Sequence, residues 1–142
     1  MYVSDILKNK GEKVISLAAS EPVSAAVALL TENKIGAVLV IDDRGGIAGI
    51  ISERDVVRSM HAHGDKAFAK PVGELMTSAV VTCDPKDPVA AIMGMMTSQR
   101  FRHVPVVQEG KLVGMISIGD VVKSRIEEAQ SEVEALRHYI SM

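Results

Sequence analysis

The chain is written twice. The stretch VISLAASEPVSAAVALLTENKIGAVLVIDDRGGIAGIISERDVVRS, beginning at Val14, lies over VVTCDPKDPVAAIMGMMTSQRFRHVPVVQEGKLVGMISIGDVVKS, beginning at Val80. Pro22 falls on Pro88, Val23 on Val89 and Thr31 on Thr97. After a one-residue gap, Gly45, Gly49, Ser52, Asp55 and Val56 fall on Gly110, Gly114, Ser117, Asp120 and Val121. The lead-ins agree as well, VSDIL from Val3 against VGELM from Val72. A repeat of this size cannot cover its own apolar faces, so duplication points to two similar units packed together.

Each repeat follows one local pattern. A short apolar run (Val14 to Leu17, Val80 to Cys83) reads as a strand, and a Pro follows near the first helical turn, where its missing N–H costs nothing. Val23, Ala26, Val27 and Leu30 then recur at helical spacing, as do Val89, Ile92, Met93 and Met96. Two apolar runs come next, Ala37 to Ile41 and Ile47 to Ser52, split by Asp-Asp-Arg-Gly-Gly. In the second copy Val104 to Val107 and Leu112 to Ser117 are split by Gln-Glu-Gly-Lys. Both pairs are expected as hairpins, with a further helix starting at Ser52 or Ser117. The unit is β-α-β-β-α, an α/β (α+β) class, and each copy is expected to hold a three-stranded sheet.

Packing the two repeats through their sheets gives a pseudo-two-fold pair with two related clefts at one interface. The expected boundaries are 1–63 for the first repeat with its lead-in helix, 64–71 for a polar linker, 72–125 for the second repeat and 126–142 for a helical extension. Aromatic residues make up only 3% of the chain, so the core must be aliphatic. The eight methionines, Met93, Met95 and Met96 among them, read as adaptable core packing.

Charge and cysteine usage narrow the function. A net charge of −2 argues against a general nucleic-acid binder, which needs a basic face for phosphates. It leaves room for a local basic pocket. The single Cys83 forms no intrachain disulfide and suits a reducing compartment. The N-terminus has no apolar signal segment, and the longest apolar run, Ile35 to Ile41, is too short to span a membrane. A cytoplasmic location without a membrane partner is expected.

The segments Gly49-Ile-Ile-Ser-Glu-Arg-Asp55-Val-Val, Gly114-Met-Ile-Ser-Ile-Gly-Asp120-Val-Val and Phe101-Arg-His-Val-Pro-Val-Val107 resemble a tandem pair of CBS domains, the Bateman module named after cystathionine β-synthase. The resemblance covers nearly the whole chain. It implies a regulatory pair that binds adenosine derivatives (AMP, ADP, ATP, sometimes NAD or S-adenosylmethionine) between the repeats. It also implies that Asp55 and Asp120 take ribose hydroxyls and that Ser52 and Ser117 lie near the phosphate.

The residues support the same chemistry independently. Ser-x-x-Asp at a strand-to-helix turn exposes free helix N–H groups, where an anion is welcome. A carboxylate one turn in can accept from two vicinal hydroxyls. Apolar strands on either side can sandwich a purine. Arg54 and Arg58 follow the first motif, and Arg102 and His103 precede a strand of the second repeat. The full expected binding set is Ser16, Ala37, Val38, Ser52, Arg54, Asp55, Arg58, Thr82, Arg102, His103, Val104, Pro105, Ser117 and Asp120. The alternative for each motif is a capping box that stabilises its helix and needs no ligand. Arg58 and Lys123 have the alternative of solvated helix-face charges. Gly36-Ala37 stands where the second repeat has Arg102-His103, so the two sites are not equivalent.

No catalytic constellation appears. Cys83 falls within a strand as a small hydrophobe, and His61 and His63 lack the companions of a metal site. No catalytic cofactor or metal is expected. The conclusion from sequence is a non-enzymatic sensor of adenine nucleotides, AMP first and ATP or NAD next, that signals through a shape change to an unidentified regulated protein. The rivals are a structural dimerisation module with empty clefts and a nucleotide hydrolase. Along the C-terminal stretch Val122, Ile126, Ala129, Val133, Leu136 and Ile140 form an apolar stripe. Covering it with the same helix of a second chain predicts a homodimer; folding back on its own module is the alternative.

Overall fold

The computed structural model describes residues 1–141. Helix α1 (Val3–Lys10) leads into strand β1 (Ser16–Ala18), helix α2 (Val23–Asn33), strands β2 (Ala37–Ile41) and β3 (Ile47–Ser52) and helix α3 (Glu53–His63). A 3₁₀ turn (Gly64–Ala69) and the short helix α4 (Val72–Leu75) follow. Helix α5 (Val89–Gln99), strands β4 (His103–Gln108) and β5 (Lys111–Ser117) and the long helix α6 (Ile118–Ser141) complete the chain. This is the mixed α/β architecture the repeat dictates.

The polypeptide groups into two units that are not contiguous in sequence. One is Val14–Val80; the other joins Met1–Lys13 to the chain from Val81 onward. Sequence boundaries place each lead-in with the repeat that follows it, but packing groups it with the other repeat. The reason lies in two equivalent glycines. A Cβ on Gly49 would meet Met76 Sδ at 2.6 Å and the Thr77 carbonyl oxygen at 2.7 Å. One on Gly114 would meet Leu7 Cδ2 at 2.6 Å. Leu7 and Met76 match each other in the lead-ins, so each large side chain fills the space a glycine leaves on the opposite repeat.

The main-chain anchors repeat too. Val3 and Ser4 N–H groups donate to Asp87 and Pro85 carbonyls, both at 2.9 Å. Val72 and Gly73 donate to Glu21 (2.8 Å) and Ala19 (3.0 Å).

In the Val14–Val80 unit, β1 runs parallel to β2 and β2 antiparallel to β3, in the order β1-β2-β3. The hairpin turn is held by Asp42, whose Oδ1 accepts from the Arg44 and Gly46 N–H groups at 2.9 and 2.8 Å. Leu17, Val23, Ala26, Leu30, Val38, Val40, Ile51, Val56 and Val72 form its core. The expected α2 stripe is buried at Val23, Ala26 and Leu30 and half-buried at Val27. Pro22 is the N-cap of α2 and Pro88 that of α5, one position earlier than the first helical turn. The polar segment expected as a linker closes instead into the 3₁₀ turn, with Ala67 fully buried.

In the other unit β4 and β5 pair around a two-residue turn, Glu109-Gly110, with φ of 51° and 76°. Both central residues are left-handed, as a twist-compatible hairpin requires. Val3, Ile6, Leu7, Cys83, Val89, Ile92, Met96, Val104, Val106, Ile116 and Val121 form the core.

The strand expected at Val80 to Cys83 is a correction: only an isolated bridge from Cys83 to Val106 forms, and the sheet has two strands. In the first repeat the Leu39 N–H donates to the Ile15 carbonyl at 3.1 Å. The position equivalent to Leu39 is Pro105, which has no N–H, so that rung of the ladder cannot form.

Candidate functional site

Both Ser-x-x-Asp motifs sit where a hairpin strand turns into a helix. Ser52 ends β3 opposite Ala37, and Ser117 ends β5 opposite His103. The first helical N–H of each is tied to the residue before the hairpin. Glu53 donates to the Gly36 carbonyl at 3.0 Å and Ile118 to the Arg102 carbonyl at 2.8 Å. The repeat therefore brings Arg102 and His103 to the start of α6 and leaves Gly36 and Ala37 at the start of α3.

The two carboxylates differ in their surroundings. Asp55 is only 6% exposed. Its Oδ2 accepts from the Ser52 N–H (2.9 Å) and the Ser52 hydroxyl (3.0 Å), and its Oδ1 from the Thr77 hydroxyl (3.2 Å). The Asp55 N–H donates back to Ser52 Oγ at 3.3 Å, which completes a capping box. Arg58 adds a peripheral ion pair at 3.6 Å from a largely exposed side chain. A buried carboxylate with this many donors is already satisfied by its own unit.

Asp120 is the more open of the pair, its side chain 25% exposed. Oδ2 accepts from the Ser117 N–H at 2.8 Å and from Lys10 Nζ at 2.6 Å. Oδ1 takes no hydrogen bond among the described residues. Burial pushes the Asp120 carboxyl up, but hydrogen bonds from Lys10 and Ser117, with the Lys10 charge, outweigh it and hold the group below the usual carboxylate range. Lys10 itself is fixed by a second bond, to the Met115 carbonyl at 2.8 Å.

A cleft of about 450 Å³ opens beside this pair, between α1 and the first turns of α6. Lys10, Lys123, Asp5, Asn9 and Glu127 line it with Asp120. Two lysine ammonium groups, one of them already paired with Asp120, and three carboxylates share this lining. It suits a ligand rich in hydroxyl donors that also carries an anionic group within reach of Lys10 and Lys123.

The remaining expected residues are distributed as follows. Ser16 is exposed at the start of β1, and Ala37 and Val38 are buried in β2. Arg54 is exposed on the first turn of α3. Thr82 is exposed beside the Cys83 bridge, while Val104 and Pro105 are buried in β4. Of the expected second-repeat residues, only Asp120 lines the cleft. Lys10 and Thr77 were missed by the motif reading. Both lie just past the lead-ins and are delivered to the opposite repeat's carboxylate by the same crossed packing. The matched lead-ins VSDIL and VGELM were the available signal.

Elsewhere, Cys83 is buried, and burial followed by the nearby Asp87 and Asp84 pushes its thiol up to about 12. His61 and His63 are exposed on the last turns of α3. No cluster with metal-ligand composition occurs among the described residues, and no helix there is long and apolar enough to cross a membrane.

Comparison with known proteins gives a consistent answer. The CBS domain family matches residues 3–62 and 72–127. The mitochondrial CBS domain-containing protein CBSX3 of Arabidopsis thaliana is 34% identical across 97% of this chain and 71% of its own length. A solved CBS-domain containing protein of Agrobacterium tumefaciens superposes with a TM-score of 0.85 at 41% identity, covering 87% of this chain and 92% of that one. A CBS domain protein from Pyrobaculum aerophilum, solved in complex with AMP, superposes with a TM-score of 0.75 at 26% identity, covering 84% of this chain and 89% of that one.

Proposed function

The chain belongs to the CBS-domain family, and from that premise we propose that it is a homodimeric regulatory module that binds an adenine nucleotide, AMP first and ATP or NAD next. The observation that carries the reading is Asp120. It is an ionised carboxylate whose Oδ2 is anchored by Lys10 and Ser117 and whose Oδ1 takes no hydrogen bond among the described residues, on the lining of a cleft of about 450 Å³. That volume lies within the range of about 300–1,000 Å³ usual for small-molecule sites. In this reading Asp120 accepts from ribose hydroxyls and Lys10 and Lys123, which line the cleft with it, meet the phosphate, while Ser117, Arg102 and His103 stand at the start of α6, off the cleft lining. The AMP complex of the Pyrobaculum aerophilum relative supports this ligand class.

The mechanism is differential binding. The nucleotide favours one arrangement of the chain over another, and a separate protein reads the difference. Binding without turnover is the favoured activity. The buried, high-pKa Cys83 thiol is no nucleophile, and a reducing compartment such as the cytoplasm suits it.

For the first repeat a second reading is favoured by a specific observation. Asp55 is saturated by Ser52 and Thr77, so Ser52-x-x-Asp55 acts as a helix cap. A ligand at Ser52, Arg54, Asp55 and Arg58 would have to displace the Thr77 hydroxyl.

Thermal unfolding with AMP, ATP, NAD or S-adenosylmethionine tests the proposal. A ligand at 100 times its Kd adds about 2.7 kcal/mol of stability. A rise in Tm with at least one of them is expected. No shift with any, up to millimolar concentration, would leave a structural module with empty clefts as the better account.

A further inference from the structure

Beyond Glu128, every described side chain of α6 is exposed. The apolar stripe is nonetheless maintained: Val133 is 47% exposed, Leu136 62% and Ile140 79%. The fold-back alternative is therefore not what covers this stripe. Val122, Ile126, Ala129, Val133, Leu136 and Ile140 follow one another at steps of four, three, four, three and four residues. This is the alternation of d and a positions in a heptad repeat, the sequence condition for a left-handed two-helix seam.

We propose that this segment pairs with the same segment of a second copy of the chain as a parallel, in-register coiled coil. The proposal rests on the homodimer reading and adds the surface, the orientation and the register.

Orientation follows from charge. With Ile126, Val133 and Ile140 at a, the flanking g positions are Arg125, Glu132 and Tyr139, and the flanking e positions are Lys123, Gln130 and Arg137. Of the outer positions, Ser131, Glu134 and His138 are exposed, while Glu128 pairs with Arg125 and the Met1 ammonium and Glu127 lines the cleft. In a parallel pair each g residue meets the e residue five places on in the other copy. Glu132 of one copy then meets Arg137 of the other, twice by symmetry, and Arg125 meets the neutral Gln130.

In an antiparallel pair with Ile126 opposite Leu136 and Ala129 opposite Val133, Glu132 would face Glu132 and Lys123 would face Arg137. Only the parallel arrangement places opposite charges together. Like charges in the other arrangement disfavour it.

Sedimentation of the full chain tests this through charge reversal, which spares the fold because Glu132 and Arg137 lie on the exposed stretch of α6. Glu132→Arg alone turns two attractions into repulsions and raises the dimer Kd roughly tenfold. Adding Arg137→Glu to it restores the wild-type value. Ala129→Cys, at a d position, cross-links on mild oxidation. Failure of the double variant to restore dimerisation, or no cross-link with Ala129→Cys, overturns the parallel register. A wild-type dimer indifferent to Leu136→Asp overturns the coiled coil but keeps the homodimer. A wild-type monomer at micromolar concentration overturns both.

Discussion

Lys10 Nζ lies 2.6 Å from Asp120 Oδ2, and this contact ties the end of the lead-in helix α1 to the start of α6. The partners are 110 residues apart in sequence and are brought together because Leu7 seats against Gly114 on the way. In the other unit the donor that reaches Asp55 from beyond the lead-in is Thr77, which is neutral, matches Lys8 rather than Lys10 in the repeat, and bonds Oδ1 instead of Oδ2. One carboxylate is thus joined to its lead-in by a charged donor and the other by a neutral one.

Replacing Lys10 with Met tests the charged version by its pH dependence. The folded pKa of Asp120 is depressed, so its ion-pair stability is present above the unfolded value near 3.9 and is lost as pH falls through the folded pKa. Both side chains are partly exposed, so the contribution is under about 1 kcal/mol, or roughly 2–4 °C in Tm. Wild type is expected to exceed Lys10→Met by that margin at pH 7, and the two melting curves to converge as pH falls through the depressed folded pKa of Asp120. A constant gap down to low pH would assign the effect to packing of the lysine stem.

Gly49→Ala and Gly114→Ala separate backbone from side-chain crowding. At Gly114 the new methyl meets the flexible tip of Leu7; at Gly49 it meets the Thr77 carbonyl as well as Met76. Gly49→Ala is therefore the costlier change, about 2–3 kcal/mol against about 1–2 for Gly114→Ala. Urea unfolding measures both, and Leu7→Val is expected to recover part of the loss only in the Gly114→Ala background.

Thr77→Val removes the one hydroxyl that reaches Asp55 from outside its own motif. A buried carboxylate losing a donor costs about 1–3 kcal/mol. The same unfolding experiment should also find Asp55→Ala more destabilising than Asp120→Ala, since the former leaves three donors from Ser52 and Thr77 without their acceptor. Equal losses would show that Asp55 is no more structural than Asp120.

Cys83 is expected to resist alkylation at pH 8 in the folded protein and to react fully in denaturant, as a buried thiol pushed up to about 12 must. Mass spectrometry of iodoacetamide-treated protein reads the result. Rapid labelling under native conditions would contradict the buried placement.

Local chemistry made much of this fold readable from sequence. The hairpins were visible because Gly45 and Gly110 mark positions of positive φ, 78° and 76°. Apolar runs on each side place the strands to within a residue, β4 and β5 extending one position beyond the runs Val104 to Val107 and Leu112 to Ser117. The Ser-x-x-Asp turns were visible because helix starts need those residues. The crossed lead-ins were not, since Leu7 against Gly114 is a tertiary fit between residues whose local sequence gives no direction. The two donors, Lys10 and Thr77, were hidden for the same reason. The missing strand at Cys83 had a readable cause in Pro105, but the repeat itself argued for symmetry and masked it.

Calorimetric titration of AMP into wild-type, Asp55→Asn and Asp120→Asn proteins addresses the central claim. Binding is expected in the wild type, to persist in Asp55→Asn, and to weaken about 10- to 100-fold in Asp120→Asn, the loss of charge-assisted hydrogen bonds to a sugar. Undiminished affinity in Asp120→Asn would contradict the account.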